Sequence, residues 1–249
     1  MASISINGVP FEYQEEHLTH DNISPISEEA ARKILDLSKD LFDKKGMFFF
    51  LWWGTLLGAV RDHGVIPGDE DVDCGVTNEN KLIESIPFLY ENGLKIIRHL
   101  PGRLYSFRTE DNCYIDFYII RPLGYSLWSL WCCHAGSYVM EKKHFKKFKE
   151  MDFLGGKYMV PADTDAMLER LYGKTWRIPQ KGHLWHSDVK SYYVWKHYFI
   201  PYTKYITQEL VGWKYWRHLF FKEWNTSAES VKAFNDWWKR YKDSLKQRK

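Results

Sequence analysis

This 249-residue chain contains little cysteine, no long apolar stretch and no low-complexity segment. The four cysteines, Cys74, Cys113, Cys132 and Cys133, show no Cys-x-x-Cys spacing, which disfavours a zinc site or a disulfide framework and predicts buried thiols. The longest apolar run, residues 47–60, has 14 residues, fewer than the ~20 needed to span a bilayer. The first residues lack the basic segment and apolar stretch of a secretory signal. We therefore expect a cytoplasmic protein.

Charge is distributed unevenly along the chain. The total is +3, but residues 1–189 carry 22 basic and 27 acidic side chains, whereas residues 190–249 carry 13 and 5. The 16 Tyr, 15 Phe and 12 Trp residues supply a packed core and exclude wholesale disorder. In the basic end, cationic residues mix with bulky aromatics at helical spacing and form no recognised nucleic-acid motif, so nucleic-acid binding is disfavoured. A basic face of this kind suits an anionic surface such as a membrane.

Hydrophobic periodicity predicts an α/β (α+β) fold. A helix begins after Ser27 and ends at Gly46, and the apolar run at 47–53 is typical of a strand covered on both faces. The other predicted elements are helices at 56–63 and 78–91, strands at 69–76, 94–100, 104–109 and 113–120, and a helix from Asp163 or Thr164 to Tyr172. Strands first separated by helices and then paired as a hairpin indicate a mixed sheet flanked by helices.

Three regions are predicted along the chain. Residues 1–26 form a polar, irregular N-terminal arm, residues 27–189 a central domain, and residues 190–249 a basic, aromatic helical region packed on that domain. In the last region a capping box at 226–229 precedes apolar residues at helical spacing. The lysines within residues 142–149 are predicted to lie on one helix.

An acidic cluster follows Gly68 and contains Asp69, Asp71 and Asp73. Residues i and i+2 of an extended strand point to one face, so Asp71 and Asp73 project side by side, with Asp69 as a possible neighbour. Carboxylates this close repel one another, and a divalent cation such as Mg²⁺ removes the conflict while leaving positions for phosphate and water. The alternative is a solvated acidic turn.

Gly54 and Thr55 stand between the first apolar run and the next predicted helix. The backbone N–H groups and the hydroxyl at this point suit phosphate oxygens, although the same pair also occurs in ordinary turns. Arg61 follows one or two helical turns later, where a guanidinium can pair with phosphate through two hydrogen bonds. For Arg61, a surface ion pair with Asp62 or Asp69 is an equally supported alternative.

Asp116 is the third candidate carboxylate. Apolar residues alternate with Tyr114, Asp116 and Tyr118 in the strand at 113–120, which puts Asp116 on the more polar face. A three-residue hairpin loop would bring Ser106 and Arg108 to that face. Asp116 is therefore predicted to serve the acidic site, to form an ion pair with Arg108, or to do both.

A resemblance to the LicD/fukutin family of phosphotransferases is carried by four segments in order, Gly54–Arg61, Ile66–Asp73, Ile115–Tyr118 and Leu171–Pro179. It implies a nucleotidyltransferase-like fold with residues 27–189 as the catalytic domain. It also implies transfer of a phospho-alcohol, most familiarly phosphocholine from CDP-choline, to a hydroxyl of a cell-surface glycan. Family members usually carry Trp where this chain has Gly68 and Asp where it has Glu70, which bears on the identity of the alcohol.

The resemblance also implies a set of site residues. One or two Mg²⁺ or Mn²⁺ ions are expected on Asp71, Asp73 and Asp116, the last acting as a ligand or as the general base toward the acceptor hydroxyl. Contacts with the donor are expected from Gly54, Thr55, Arg61, Asp69 and Arg108. The expected partners are a CDP-alcohol and a glycan or lipid-linked glycan, with peripheral contact at the inner face of a membrane.

Two other functions stand as alternatives. A nucleotidyltransferase would direct attack to the α-phosphate of the donor and transfer a nucleoside monophosphate. A non-catalytic glycan- or membrane-binding protein would have no need of Asp71, Asp73 and Asp116, whose presence argues against it. The sequence leaves choline, ethanolamine, ribitol, glycerol and aminoethylphosphonate open as the transferred group.

Overall fold

The computed structural model describes residues 1–16, 24–122, 131–136 and 138–179, together with Lys232 and Asp236. The helices are α1 (Glu28–Lys44), α2 (Trp53–Leu57), α3 (Glu79–Glu91) and α4 (Thr164–Tyr172), with a π-helical turn at Gly58–Asp62 and a 3-10 turn at Lys142–Phe145. The strands are β1 (Ala2–Ile6), β2 (Val9–Tyr13), β3 (Phe50–Leu51), β4 (Val72–Val76), β5 (Lys95–Leu100), β6 (Leu104–Arg108), β7 (Tyr114–Pro122), β8 (Cys132–Ala135), β9 (Tyr138–Glu141), β10 (Phe148–Phe153) and β11 (Gly156–Pro161).

The first residues form a β-hairpin, so the predicted irregular arm is wrong for this segment. β1 and β2 pair antiparallel around Asn7 and Gly8, whose φ angles are 50° and 83°. Left-handed backbone at both central positions is the turn geometry that matches the twist of paired strands. Ile4 and Tyr13 of the hairpin are buried in the core.

Side-chain caps begin α1 and α3 where the sequence predicts them. Oγ of Ser27 accepts a hydrogen bond from the N–H of Ala30 at 3.2 Å, and Oδ1 of Asn78 accepts one from the N–H of Lys81 at 3.0 Å. These bonds satisfy N–H groups that have no partner within the helix. The predicted starts of both helices are confirmed. They could be predicted because each capping bond joins residues only three positions apart.

The strands after the hairpin form a nine-stranded mixed sheet. Its order is β10-β11-β3-β4-β7-β6-β5, and β8 pairs with both β7 and β9. β4 and β7 run parallel at the centre, whereas the pairs β5–β6 and β6–β7 are antiparallel. Buried aliphatic and aromatic side chains from the sheet and the helices form one core. The predicted α/β class, a mixed sheet flanked by helices, is confirmed.

The lysine-rich segment after residue 141 differs from the predicted single helix. The chain makes the 3-10 turn and then β10, which pairs with β11 around Leu154 and Gly155. Both turn residues have positive φ, 48° and 79°, which closes the hairpin tightly. β10 is the outermost strand, a position where lysines are common because they protect a sheet edge from pairing with other chains.

The predicted helices of residues 190–249 lie outside the described residues, apart from Lys232 and Asp236. The division of the chain into an arm, a catalytic domain and a C-terminal region stays a prediction. In the part of the chain that the structure describes, every helix is too short or too polar to cross a membrane. Cys74, Cys132 and Cys133 are buried thiols, as predicted, whereas Cys113 is only partly buried.

Candidate active site

The parallel pair β4–β7 brings the predicted carboxylates together. Asp73 on β4 lies opposite Asp116 on β7, and Asp71 immediately precedes β4. One carboxylate oxygen from each of Asp71, Asp73 and Asp116 lies within 4.8 Å of the other two. Three hard oxygen donors at this separation suit a divalent cation such as Mg²⁺.

Asp73 is fixed by the residues that begin α2. The N–H of Gly54 donates to Oδ2 of Asp73 at 3.1 Å, and the N–H of Asp73 donates to Oγ1 of Thr55 at 2.8 Å. Trp53 precedes them with a φ of 38°, a strained value for a bulky residue and one that is concentrated at functional sites. Gly54 and Thr55 therefore position Asp73 in this structure, and their contact with phosphate stays a prediction.

Asp116 is paired with Arg98 and not with Arg108. Nη2 of Arg98 donates to Oδ2 of Asp116 at 3.0 Å, and Nε of Arg98 donates to Oγ of Ser106 at 2.9 Å. The predicted ion pair between Arg108 and Asp116 is wrong. Arg108 pairs with Glu16 at 3.1 Å, so its charge is used at the N-terminal segment and not at the carboxylate cluster.

A β-bulge in β5 aims Arg98 toward the site. The pairing of β5 with β6 shifts between Ile96, which lies opposite Phe107, and Arg98, which lies opposite Ser106. Regular alternation from Ile96 would put Arg98 on the core face, but the additional residue at position 97 reverses its direction. Sequence alternation alone therefore missed Arg98.

Asp69 lies at the edge of the cluster, whereas Arg61 forms an ion pair with Asp62. A Cβ built on Gly54 would lie 2.8 Å from Oδ2 of Asp69 and 3.4 Å from Oδ2 of Asp73. The guanidinium of Arg61 donates to both carboxylate oxygens of Asp62, at 2.9 and 2.6 Å. The ion-pair alternative for Arg61 is thus present, and its binding of phosphate stays a prediction.

Burial makes two of the carboxyl groups hold their protons at unusually high pH. It raises the pKa of Asp71 to about 7, and the negative charges of Asp116 and Asp69 add to this rise. Burial raises the pKa of Asp69 to about 6, although the positive charge of Arg61 opposes the rise. Without a cation, the cluster therefore carries an electrostatic cost in its charged form.

The same effect extends to the two paired strand positions. Burial raises the pKa of Asp73 well above its ordinary range, the charges of Asp71 and Asp116 add to it, and the hydrogen bond from Gly54 opposes it. Burial also raises the pKa of Asp116, while Arg98 opposes the rise. Oδ1 of Asp116 is buried without a hydrogen-bond partner among the described residues. A buried anionic oxygen in this state needs a cation.

Raising the pH is expected to destabilise the metal-free chain through Asp71. The folded state binds the Asp71 proton more tightly than the unfolded state, so the contribution of this group to stability is complete below its ordinary pKa of 3.8 and is lost as the pH rises to about 7. Asp71→Asn removes this loss. In urea denaturation with a chelator present, the variant should gain stability over the parent between pH 5 and pH 8. An unchanged difference at the two pH values would contradict the raised pKa.

Gly54→Ala is expected to disturb the cluster without unfolding the chain. The new methyl group would lie 2.8 Å from Oδ2 of Asp69, which must move away, and a displacement of this kind costs roughly 10²-fold in activity. The measurement is the transfer rate described under Proposed function, alongside the melting temperature. A well-folded variant with the parental rate would show that Asp69 need not stay in place.

Two tyrosines near the cluster were missed as site residues. Burial raises the pKa of both Tyr118 and Tyr172, and the charge of Asp73 adds to the rise in each, which places both phenol groups within electrostatic reach of the carboxylates. Tyr118 shares a strand face with Asp116, so alternation carries a signal for it. Tyr172 is the last residue of α4, and its position near the cluster depends on how α4 packs against the sheet.

The segment that contains this cluster also matches a known family. Residues 46–163 match the model of the LicD/FKTN/FKRP nucleotidyltransferase domain. This segment of the chain is therefore similar to the LicD family of nucleotidyltransferase domains. The matched residues include α2, the parallel pair β4–β7 and the bulged strand that carries Arg98, so the LicD segment holds every side chain of the carboxylate cluster.

Similar proteins include animal members of this LicD family. The ribitol-5-phosphate transferase FKTN of Homo sapiens is 27% identical over 186 residues, which cover 69% of this chain and 38% of that protein. The Mus musculus protein of the same name is 30% identical over 169 residues, covering 64% and 35%. The chain thus spans little more than a third of the length of these relatives. Among solved structures, the lincomycin-bound lincosamide antibiotic adenylyltransferase LnuA covers 67% of this chain and 98% of its own, with a TM-score of 0.42 and 17% identity.

Proposed function

We propose that the chain is a cation-dependent transferase that moves a phospho-alcohol from a CDP-alcohol to a hydroxyl group of a glycan. The observation that carries the proposal is the cluster of three carboxylates on β4 and β7 within a LicD-family segment. The name shared by the curated relatives, ribitol-5-phosphate transferase, supports a phospho-alcohol as the transferred group.

The residues of the cluster fit a Mg²⁺ or Mn²⁺ ion by the chemistry of their donor atoms. Asp71, Asp73 and Asp116 would hold the ion through carboxylate oxygens, the donors that these hard cations prefer. When bound, such an ion neutralises negative charge on a donor pyrophosphate. The buried Oδ1 of Asp116 is the structural feature that favours this assignment.

The residues around the cluster serve mainly to position it. Gly54 and Thr55 hold Asp73, and Arg98 holds one oxygen of Asp116. We propose that Asp116 is a ligand and not the general base, because its other oxygen is buried and has no hydrogen-bond partner within the described ranges. Phosphoryl transfer depends mostly on positioning and charge stabilisation, so such a rigid arrangement suits it.

CDP-ribitol is proposed as the first donor to test, with CDP-choline second. Ribitol phosphate is what the names of the curated relatives specify, and phosphocholine is what the sequence motifs favour. Gly68, where family members usually carry Trp, has a φ of 96°, and a Cβ built there would meet no atom within 4 Å. We propose that this open space next to Asp69 affects which alcohol the site accepts.

The test combines donor binding with the fate of a labelled donor. The full chain is incubated with Mg²⁺ and CDP-ribitol or CDP-choline, labelled in the alcohol or in the cytidine, together with a candidate glycan acceptor. Alcohol label on the acceptor and release of CMP support the proposal. Cytidine label on the acceptor would instead identify a nucleotidyltransferase. Absence of both transfer and any donor-induced rise in melting temperature would favour a non-catalytic binding protein.

Membrane contact and location are separate proposals. We propose that the basic region of residues 190–249 makes peripheral contact with an anionic membrane on its cytoplasmic side. The support is the excess of basic residues in the sequence of that region. A chain ending at residue 225 should lose binding to vesicles that contain an anionic phospholipid if this is correct.

A further inference from the structure

The carboxylate oxygens of the cluster are not equally available. Oδ2 of Asp73 accepts the N–H of Gly54, and Oδ2 of Asp116 accepts Nη2 of Arg98. Each Oδ2 keeps a second lone pair, but Oδ1 of each residue is the more available ligand atom for a cation. Asp71 is the member of the trio with no hydrogen bond to another described residue.

Centres with two divalent ions make stronger demands on their ligands. The ions lie about 3.5–4 Å apart, and carboxylates that bridge them use one oxygen for each ion. In this cluster Oδ2 of Asp116 faces the guanidinium of Arg98, whose positive charge disfavours a cation on that oxygen, and Oδ2 of Asp73 already accepts a hydrogen bond from Gly54. Asp71, Asp73 and Asp116 can each supply one oxygen to a single ion. These three oxygens lie within 4.8 Å of one another.

Arg98 also supplies positive charge directly beside the cluster. Its guanidinium contacts Asp116 directly, and its side chain is 28% exposed, whereas that of Asp116 is 4% exposed. The charge of Arg98 acts on Asp71 as well, where it favours the ionised carboxylate. A fixed cation thus offsets part of the negative charge of the trio.

We propose that Arg98 takes the place of a second metal ion, so that the protein without its donor holds one divalent cation. The proposal deepens the proposed function and rests on the cation that the function requires. Arg98 acts as a positioning residue through Asp116: it occupies Oδ2, fixes the orientation of the carboxylate and supplies the second positive charge. The β-bulge in β5 makes this possible because it turns Arg98 to the face of Ser106 and Asp116.

Mn²⁺ binding to the full chain tests this proposal directly. Free and bound Mn²⁺ are measured by electron paramagnetic resonance at increasing metal concentration, without donor. The parent should bind one Mn²⁺ and show the spectrum of an isolated ion. Arg98→Met should bind two, with the broadened spectrum of a coupled pair, because it frees Oδ2 of Asp116 and removes the positive charge. Arg98→Lys keeps the charge and should bind one.

Two further variants keep the test decisive. Lys95→Met removes a cation from the same strand, one that pairs with the exposed Glu110, and should leave the count at one. Arg98→Leu gives a second neutral side chain, also without a hydrogen-bond donor, if Arg98→Met does not fold. Two ions in the parent, or one ion in a folded neutral variant, would overturn the proposal. A parent chain that binds no Mn²⁺ would overturn it as well.

The outcome is separable from that of the proposed function. If Mn²⁺ binds as expected but no CDP-alcohol serves as a donor, the proposed role of Arg98 is supported and the proposed transfer reaction is refuted. If transfer is seen with two ions bound by the parent, the function stands and the role of Arg98 falls.

Discussion

Asp73→Asn is expected to abolish transfer, with a loss of at least about 10³-fold in kcat/KM. Asparagine has nearly the same shape and can still accept the hydrogen bond from Gly54, so the backbone around α2 should stay in place. What is lost is the negative charge in a group that lies within 4.8 Å of two other carboxylates. The measurement is the initial rate of CMP release at saturating Mg²⁺.

The control for this variant is Asp40→Asn. Asp40 is exposed on α1 and pairs with Lys44 at 2.6 Å, remote in sequence from the cluster, so its loss should leave the rate unchanged. Without metal, Asp73→Asn should melt at the parental temperature or higher, since burial and neighbouring charge disfavour the ionised Asp73. A folded Asp73→Asn that keeps a tenth of the parental rate would refute the role of this carboxylate.

Glu79→Ala is expected to lower the free energy of unfolding by about 3 kcal/mol or more. Glu79 begins α3 and is 1% exposed. Its Oε1 accepts hydrogen bonds from the N–H of Gly102 and the hydroxyl of Tyr105, both at 2.9 Å. Its charge also supports Arg121, whose pKa burial lowers to about 10. Removing the carboxylate leaves two buried donors without their acceptor and takes away the negative charge that acts on the buried Arg121.

Urea denaturation of the parent and the variant measures this loss. Glu84→Ala is the matched control, because Glu84 lies on the same helix with an exposed side chain and its removal should change stability by less than about 0.5 kcal/mol. Equal stability of the two variants would show that the contacts of Glu79 are replaced by water or by neighbouring groups.

Features that depend on neighbouring residues could be read from the sequence. Ser27 and Asn78 start helices through bonds to residues three positions later, and the alternation around Asp116 gives its strand face. The Asn7-Gly8 turn is also a local signal, since this pair is typical of a tight hairpin. The spacing of Asp71 and Asp73 correctly places them side by side.

Features that depend on strand order could not be read in this way. Arg98 reaches Asp116 only because β5, β6 and β7 are neighbours and because β5 contains a bulge. A single sequence gives neither the order of strands in a sheet nor the position of an extra residue in one of them. For the same reason the sequence points to Arg108, the nearest cation in the hairpin, and not to Arg98 as the partner of Asp116.

The bulge at Ile97 divides β5 into two halves whose side chains face different surroundings. Before it, the direction of a side chain is set by the core, as the buried Ile96 shows; after it, the direction is set by the polar face of Ser106. A change of residue in one half leaves the facing of the other half intact. The charge beside the carboxylates can therefore vary by single substitutions at position 98 while the hydrophobic interior stays as it is.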